Sequence, residues 1–428
     1  MKRVSPHEVF LLVVLLILLG MGTVMQVSIG DAQGLDRGSV FLRWAALALG
    51  VGFVVRVIPY KFIVRNGAII YLGVLGLLAL VPIVGHVVFN ARRWIVIGGV
   101  SFQPSEPMKI AFVIFMARLL RHERSVKRLR SLVAPGIALA LPLSLILSQP
   151  DLGTSLLFIP TALAMLFVAG IGRREILVIL LGGLLLGGVG YSALRPYQKE
   201  RIVSTFLRER LTRAERAREG YQLEQSLRSV AVGGVFGQGL GEGIQNRLNR
   251  LPSRHNDFVF AVIAEELGLV GAAFLMGAFL LLLLTILRIA QRTRDPQGRL
   301  LCTGLGTLFG FQAFVHIGVN LGIVPTTGMT LPFVSAGGTS LCVSVAGLAL
   351  AASVARHPSR VLSGSILREQ LGRLRLVLGS RSGRSSHPPR LQGGKPMVDS
   401  SSLAETRNGK GAWTETSHRG SRPATSSR

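Results

Sequence analysis

Apolar residues form long runs along this chain, and short polar or basic segments separate the runs. A helix needs about 20 apolar residues to cross the hydrocarbon core of a bilayer, so runs of this length predict membrane spans. The pattern predicts an all-α, polytopic membrane protein with about ten transmembrane helices. The predicted spans lie at 9–28, 40–58, 66–88, 104–121, 132–148, 153–170, 175–193, 257–287, 300–323 and 331–354.

The short loops between the predicted spans differ in charge. Lys and Arg are concentrated in alternate loops, among them 56–65, 118–130 and 288–299. The positive-inside rule therefore predicts that both termini are cytoplasmic. The segment 194–256 then becomes one large extracytoplasmic loop between the seventh and eighth helices. Its richness in Arg goes against the rule, which suggests that the loop has a function of its own.

Composition adds a basic tail to the predicted transmembrane domain, residues 1–357. Residues 358–428 are rich in Ser, Arg, Gly and Pro without a sustained period, which predicts a mostly disordered cytoplasmic tail. Within this tail, Ile366–Leu378 is amphipathic and suits a membrane surface. The formal net charge of +27 lies in loops and in the tail. This placement favours contact with the membrane and its anionic lipids, and no nucleic acid is predicted as a partner.

Four charged residues lie at the predicted external end of the third and fourth spans. Glu106 and Lys109 are three residues apart and share a helix face. They form either a self-neutralising ion pair that lets both enter the membrane, or a carboxylate that orients a lysine towards an anionic ligand. Arg92 and Arg93 precede an interfacial aromatic residue, Trp94. Paired guanidinium groups suit phosphate, and anchoring to lipid headgroups is the alternative.

Two further polar segments lie at the same predicted side. Asp151, in the short hairpin Ser148–Leu156, is expected to cap the helix that follows. Thr326–Leu341 places Pro332 and Ser335 at membrane depth. A broken helix is tolerated there only if it is buried in protein or lines a wet cavity. We therefore predict a cavity around this segment.

Three carboxylates open the eighth predicted span, in HNDFVFAVIAEELG. Either Asp257 or its neighbour Asn256 is the N-cap of this helix. Alternatively, Asp257 is a partly desolvated base whose pKa is raised. Glu265 and Glu266 lie about 12–13 Å deeper at helical rise. Buried acids of this kind need protein partners, so we expect a structural role for them.

Six segments between Ala91 and Leu341 together resemble the SEDS family (shape, elongation, division and sporulation) of FtsW/RodA type. They occur in the family's order: ARRWIVIGG with FQPSEPMKIA, QPDLGTSL, RPYQKERI, EQSLRSVAVGGVFGQGLG, LPSRHNDFVFAVIAEELGLVG, and VNLGIVPTTGMTLPFVSAGGTSL. QLEQSL, GQGLG and PTTGMTLPF favour the FtsW-type division branch, whereas MARLLRH resembles the RodA-type elongation branch. The chain departs from the family pattern at Ser253, Asn256 and Ala336, while Asp257 is retained.

This resemblance implies a peptidoglycan glycosyltransferase that polymerises lipid II at the outer face of the bacterial plasma membrane. It maps the family's essential aspartate onto Asp257. The implied partners are lipid II, a class B penicillin-binding protein and other proteins of division or elongation. Residues expected to bind the substrate are Arg92, Arg93, Glu106, Lys109, Asp151, Arg201, His255 and Ser335.

The implied chemistry is a general-base glycosyl transfer. Asp257 would take the proton of the acceptor hydroxyl. Cationic residues would stabilise the departing pyrophosphate, and a divalent cation could share that role. Both cysteines lie in apolar runs, so no cysteine metal site is indicated. The main alternative is a lipid II flippase, because intramembrane acids and broken helices are typical of transporters. A catalytically idle scaffold is a third hypothesis.

Overall fold

The computed structural model describes residues 5–88, 91–121, 129–172, 174–179, 181–183, 220–248, 250–251 and 253–356. All of the elements below lie in the compact unit Met1–Arg360. Three predictions fall outside the described residues: most of the seventh span, the first part of the large loop with Arg201, and the tail 358–428 with its amphipathic piece.

The described residues are mainly helical, and most helices match a predicted span. In chain order they are α1 (Pro6–Asp31), α2 (Arg37–Val57), α3 (Tyr60–Arg65), α4 (Gly67–Val84), α5 (Ser105–Leu119), α6 (Val133–Ser148), α7 (Leu152–Val168), α8 (Gly220–Gly233), α9 (Ile244–Arg247), α10 (Val259–Arg292), α11 (Pro296–Asn320) and α12 (Gly338–Arg356). Residues 174–179 and 181–183 are also helical, and a 3-10 turn spans Leu129–Leu132.

Within the described part of the chain, six helices are long and apolar enough to cross a membrane, namely α1, α2, α4, α10, α11 and α12. Helices α6 and α7 are apolar but shorter. The most apolar windows of α2 and α4 are 22% buried, whereas those of α11 and α12 are 72% buried. Because lipid covers what protein leaves open, α11 and α12 form the interior of the bundle and α2 and α4 lie at its rim.

Two predicted span boundaries are wrong. The helix in the predicted span 66–88 ends earlier than predicted, because α4 stops at Val84 and a strand follows. The helix in the predicted span 331–354 starts later than predicted, because α12 begins only at Gly338. The residues before Gly338 are not helical, as the prediction of a broken helix required.

A small antiparallel sheet, which the sequence analysis did not predict, follows α4 in this mainly helical fold. Its strands are β1 (His86–Val88), β2 (Ala91–Ile97) and β3 (Val100–Phe102), in the order β1-β2-β3. Strands β2 and β3 are joined by Gly98 and Gly99, whose φ angles are 58° and 81°. Two successive positive φ angles make the type I′ turn that matches the twist of a hairpin.

Helix α10 is interrupted at Gly268, where φ is 65° and ψ is −162°. A helix break leaves backbone groups without partners, and such groups are costly in a membrane protein. Here the loop after α8 supplies the partners through four backbone hydrogen bonds. They run, donor first, from Gln238 to Glu265 (3.0 Å), from Gly239 to Glu266 (3.0 Å), from Leu269 to Gly234 (2.9 Å) and from Val270 to Val235 (3.1 Å).

The loop after α8 approaches α10 so closely only because both the loop and the helix have a glycine at the contact. Gly237 has a φ of 81°, and a Cβ placed on it would lie 2.1 Å from the carbonyl oxygen of Glu266. A Cβ on Gly268 would lie 2.3 Å from the Gly237 nitrogen. Any side chain at either position would therefore push the loop away from the helix. The result is a short half-helix, residues 259–267, joined to a long span.

Candidate active site

A non-helical segment, residues 326–337, lies between α11 and α12 and forms the centre of the candidate site. Leu331 and Phe333 in this segment are each 1% exposed. Residues 331–335 are all buried, so protein covers this part of the segment, which is a condition under which irregular backbone occurs at membrane depth. Burial in protein is one of the two environments that the sequence analysis allows for this segment, and the cavity stays a prediction.

The segment 326–337 is hydrogen-bonded to the chain that leads into α10. Ser335 Oγ donates to the Asn256 carbonyl oxygen (2.7 Å) and accepts from the Leu331 amide (2.8 Å). The Ala336 amide donates to the His255 carbonyl oxygen (3.0 Å). Through these bonds, Ser335 and the main chain of His255 hold the approach to α10 in place.

Asp257 lies between this approach and the first turn of α10 and is partly exposed. Its amide donates to the Ser253 carbonyl oxygen (2.9 Å). A Cβ placed on Gly328 would lie 3.8 Å from Asp257 Oδ2, so the carboxylate lies beside the segment 326–337. The cap position of α10 is Phe258, and no side-chain capping bond occurs there. Contrary to the capping alternative, neither Asp257 nor Asn256 occupies the cap position.

Asn320, at the end of α11, holds Asp257 from the other side and is fully buried. Its Nδ2 donates to the carbonyl oxygens of Asp257 (3.1 Å) and His316 (2.8 Å). Its Oδ1 accepts from the Ala261 amide (3.0 Å), in the first turn of α10. One amide side chain thus fixes both the main chain of Asp257 and the start of the helix.

Glu106 and Lys109 form a buried ion pair in α5, with 3.0 Å between Lys109 Nζ and Glu106 Oε1. Lys109 Nζ also lies 3.2 Å from Gln312 Oε1 of α11. Gln312 Nε2 in turn donates to the Thr330 carbonyl oxygen (2.9 Å). The pair is therefore linked through Gln312 to the segment 326–337. Glu106 and Lys109 therefore form the self-neutralising ion pair that was one of the two predicted alternatives. The Lys109 ammonium group also lies close to the candidate site, through Gln312.

Asp151 is the N-cap of α7, as the sequence predicts, because its carboxylate accepts from the Thr154 amide (3.2 Å). Gln103 Nε2 also donates to this carboxylate (3.2 Å). Two residues further on, a Cβ on Gly153 would lie 2.8 Å from the Thr327 carbonyl oxygen. The start of α7 therefore packs directly against the segment 326–337.

The two neighbouring arginines of β2 have different surroundings, as expected for successive residues of a strand. Arg93 Nε donates to the Gln149 carbonyl oxygen (2.9 Å), and Arg93 Nη1 lies 4.0 Å from Asp151 Oδ1. Arg92 is exposed, and its Nη1 donates to the Pro82 carbonyl oxygen at the end of α4 (3.1 Å). Arg93 is thus tied to the site, whereas Arg92 lies against a neighbouring helix end.

Comparison with known proteins identifies the group to which this arrangement belongs. Residues 6–360 match the model of the FtsW, RodA and SpoVE family, described as cell cycle proteins. The "Probable peptidoglycan glycosyltransferase FtsW" of Coxiella burnetii is 36% identical over 355 residues, which cover 79% of this chain and 93% of that protein. The chain belongs to the FtsW/RodA/SpoVE family. The "Peptidoglycan glycosyltransferase MrdB" of Escherichia coli is 35% identical over 358 residues, covering 82% and 95%.

Two solved structures have the same fold. A chain from "Structural coordination of polymerization and crosslinking by a peptidoglycan synthase complex" is 31% identical with a TM-score of 0.69, covering 82% of this chain and 98% of that one. The Rod shape determining protein RodA of Thermus thermophilus is 29% identical with a TM-score of 0.60, covering 82% and 97%. The chain is therefore a multi-pass plasma-membrane protein and a peptidoglycan glycosyltransferase of this family. FtsW and MrdB match almost equally, so identity does not separate the two branches.

In this FtsW/RodA-type chain, the two deeper acids of α10 are fully buried and hydrogen-bonded. Ser28 Oγ of α1 lies 2.6 and 2.7 Å from the two carboxylate oxygens of Glu266, and Asn246 Nδ2 donates to the same carboxylate (2.7 Å). Glu265 Oε1 accepts from the Gln245 amide (2.6 Å). The acids therefore fasten α1 and α9 to the half-helix that follows Asp257, which agrees with the structural role expected for them.

Arg254 is a buried residue of this region that the sequence did not single out. It is 1% exposed, and its Nη1 donates to the Asn246 carbonyl oxygen. Burial lowers its pKa, as does Arg37, while Glu265 and Glu266 oppose the shift. Burial also lowers the pKa of His255 to about 4, with Arg37 and Arg254 adding to the effect. His255 is therefore neutral at physiological pH.

A polar row on α11 also went unrecognised in the sequence. Gln312, His316 and Asn320 are four residues apart, so they lie on one face of the helix. Gln312 and Asn320 make the contacts described above, and His316 Nδ1 lies 2.8 Å from the Met329 carbonyl oxygen. Polar residues repeated at helical spacing inside an apolar run indicate a protein-facing surface. This signal would have shown that this face of α11 contacts protein.

The described residues do not fit a divalent cation held by protein ligands. Within them, no group of three or more His, Cys, Asp or Glu side chains is arranged to bind a metal ion. Hard divalent cations need several oxygen ligands, and Asp257 is not part of such a group. No step of the proposed reaction is therefore assigned to a metal.

Proposed function

We propose that this peptidoglycan glycosyltransferase polymerises lipid II, with Asp257 as the general base. The observation that carries the proposal is the position of Asp257, outside the cap of α10 and beside the segment 326–337. The main chain on both sides of this carboxylate is fixed, by Ser335 through Asn256 and by Asn320. A base held in this way meets the first requirement of general-base catalysis, which is fixed geometry.

The proposed step is a single displacement. The acceptor GlcNAc 4-hydroxyl attacks C1 of the donor MurNAc, and the C1–oxygen bond to undecaprenyl pyrophosphate breaks. Asp257 takes the hydroxyl proton, and the pyrophosphate leaves with the bond's electron pair. Because the donor is α-linked and the product β-linked, one inversion needs a base but no covalent nucleophile.

Charge on the departing pyrophosphate requires cations at the site. Lys109 and Arg93 are already engaged, with Glu106 and with the Gln149 carbonyl respectively. These contacts support a role in holding the site together. We therefore keep Lys109 and Arg93 as orienting charges. Arg92, which donates to Pro82 at the end of α4, and Arg201, which lies outside the described residues, stay predictions for contact with the pyrophosphate.

The decisive experiment compares lipid II polymerisation by the purified wild-type chain, Asp257→Asn and Asp36→Asn, each with a partner transpeptidase present. Asp36 is an exposed N-cap whose function asparagine preserves, so its variant is the matched control. We expect Asp257→Asn to lose about 10²–10⁴-fold in rate, because a positioned base contributes that much. Full polymerisation by Asp257→Asn would end the general-base proposal.

A class B penicillin-binding protein is the proposed partner, with other division or elongation proteins around it. The support is the likeness to a chain of a peptidoglycan synthase complex that couples polymerisation and crosslinking. We expect polymer yield to rise when the partner is added to the purified chain. An unchanged yield over a range of partner concentrations would count against this pairing. The names of the relatives do not favour the flippase alternative, which a flipping assay in liposomes would test directly.

A further inference from the structure

An apolar groove lies between α1, α2 and α12, and none of its lining residues belongs to the candidate site. Its volume is about 360 Å³, and its walls include Leu12 and Leu15 of α1, Phe53 of α2 and Leu348 of α12. Leu12 is 50% exposed and Phe53 is 62% exposed. The groove is therefore open sideways, towards the lipid that surrounds the bundle. Its occupant can enter from the bilayer.

One end of the groove is polar. It is formed by Glu8 in the first turn of α1 and Arg56 in the last turn of α2, which form an ion pair. Glu8 is only 4% exposed, yet its Oε2 has no hydrogen-bond partner among the described residues. A buried carboxylate oxygen without a donor is costly, so the groove offers an acceptor that a ligand would satisfy. Arg56 is 29% exposed and retains a face for an anion.

The length of the groove fits one leaflet of the membrane. From Glu8 to Leu15, α1 rises by about 10 Å. Half of the hydrocarbon core is about 15 Å thick. The polar end lies next to the basic loop 56–65, on the side that the positive-inside rule assigns to the cytoplasm. An occupant with an apolar chain and a polar head at this end would therefore come from the inner leaflet.

We infer that this groove binds a phospholipid of the inner leaflet, with an acyl chain between α1, α2 and α12. The lipid phosphate binds Arg56, and a hydrogen-bond donor of the headgroup binds Glu8 Oε2. Phosphatidylethanolamine and phosphatidylglycerol both carry a phosphate and a donor, an ammonium group or a hydroxyl. Phosphatidylcholine carries the phosphate without a donor. Charge and hydrogen bonding thus define the ligand class.

The first test uses native mass spectrometry of the purified full chain with added phospholipid of one headgroup at a time. Wild type is compared with Leu12→Trp, which fills the groove, and with Leu16→Trp. Leu16 is the matched control because it lies one turn away in α1, is also 50% exposed and does not line the groove. We expect Leu12→Trp to bind phospholipid about tenfold more weakly than Leu16→Trp, which corresponds to about 1.4 kcal/mol.

Headgroup preference is the second test. We expect wild type to retain phosphatidylethanolamine and phosphatidylglycerol over phosphatidylcholine, and Arg56→Gln to retain each of them less. If only phosphatidylethanolamine is retained more strongly, the donor is an ammonium group. If only phosphatidylglycerol is retained more strongly, the donor is a hydroxyl. Equal binding by Leu12→Trp and Leu16→Trp overturns the site. Equal retention of phosphatidylcholine by wild type overturns the headgroup assignment.

Discussion

Asn320 is the residue that ties the proposed base to the rest of the protein. Its side chain makes three hydrogen bonds, to Asp257, His316 and Ala261, and has no access to solvent. Removing it would leave the carbonyl of Asp257 and the first turn of α10 without these partners. Because Asn320 acts through Asp257, it is a positioning residue.

We expect Asn320→Ala to lower the polymerisation rate by about tenfold or more, since each lost buried hydrogen bond costs about 1 kcal/mol. Its substrate KM should change less than the rate constant, because the base moves while the binding surface stays. Thr303→Val is the control, because it removes a hydrogen bond from the Thr303 hydroxyl to the Arg299 carbonyl oxygen within the same helix. An Asn320→Ala enzyme with a normal rate constant would contradict the positioning role.

His255 gives the structure a defined pH dependence. Its pKa is about 4 in the folded protein and 6.5 without perturbation. Well above pH 6.5 it is neutral in both states, so it adds no dependence there. As pH falls from 6.5 through 4, the unfolded chain takes up a proton that the folded protein excludes, and stability is lost.

We therefore expect the thermal unfolding midpoint of wild type to fall between pH 7.5 and pH 4, and that of His255→Gln to fall less. The two proteins should differ little above pH 7, where the histidine is neutral. The difference between their midpoints, measured in one detergent, removes the contribution of other titrating groups. Parallel curves for the two proteins would show that His255 does not contribute.

At the scale of elements, the break in α10 depends on one contact between two glycines. Gly268→Ala would place a methyl group 2.3 Å from the Gly237 nitrogen and would force a positive φ on alanine. We expect a loss of about 1–3 kcal/mol, as for other strained backbone positions. The measurement is thermal unfolding together with polymer yield.

Gly277→Ala is the control for this prediction, because Gly277 lies in the same helix with nothing within 4 Å of its Cβ position. We expect it to be neutral or to stabilise by about 0.4–1 kcal/mol, since alanine restricts the unfolded chain. If both variants had the same stability, the docking of the loop against α10 would not need glycine.

The elements also show which local signals a single sequence carries. The helices follow from long apolar runs, and Asp151 is recognisable as a cap from its place before α7. The hairpin at Gly98 and Gly99 has the Gly-Gly signature of a type I′ turn, but the runs on either side favoured membrane spans. The break at Gly268 is invisible in a helical pattern, because its cause is a loop that precedes α10 in the chain.

At the scale of the whole molecule, the buried pair Glu106–Lys109 links α5 to α11 and to the segment 326–337. Lys109→Met leaves a buried carboxylate without its partner, and we expect a loss of about 3–5 kcal/mol. Glu106→Gln combined with Lys109→Met removes both charges and should recover much of that stability. The measurement is thermal unfolding of the single and double variants.

Activity of the double variant then separates the two interpretations of this pair. A stable double variant that polymerises lipid II would identify the pair as structural, whereas a stable but inactive one would identify it as part of the substrate site. A double variant no more stable than Lys109→Met would contradict the pairing itself. The control is Arg228→Gln, whose exposed pair with Glu224 should contribute little.

Long-range contacts are what the sequence could not supply. Lys109 and Gln312 are 203 positions apart, and Ser28 and Glu266 are 238 apart. Each of these contacts joins two polar residues that lie inside apolar runs. Local periodicity predicts that such residues face protein, but it does not identify the partner. The ordered family segments predicted the family and Asp257, while the partners of that residue, Asn320 above all, needed the folded chain.

The break in α10 separates the part of the helix that crosses the membrane from the half-helix that holds Asp257. The apolar residues 269–287 of this helix are about 28 Å long at helical rise, close to a hydrocarbon core of about 30 Å. In a thinner bilayer this span becomes longer than the core and tilts to match it. Because the chain bends at Gly268 and the half-helix is fastened to α1 and α9, such a tilt leaves the carboxylate of Asp257 in place. Polymer yield should therefore vary little among bilayers of different acyl length, and a steep dependence would show that the bend transmits tilt.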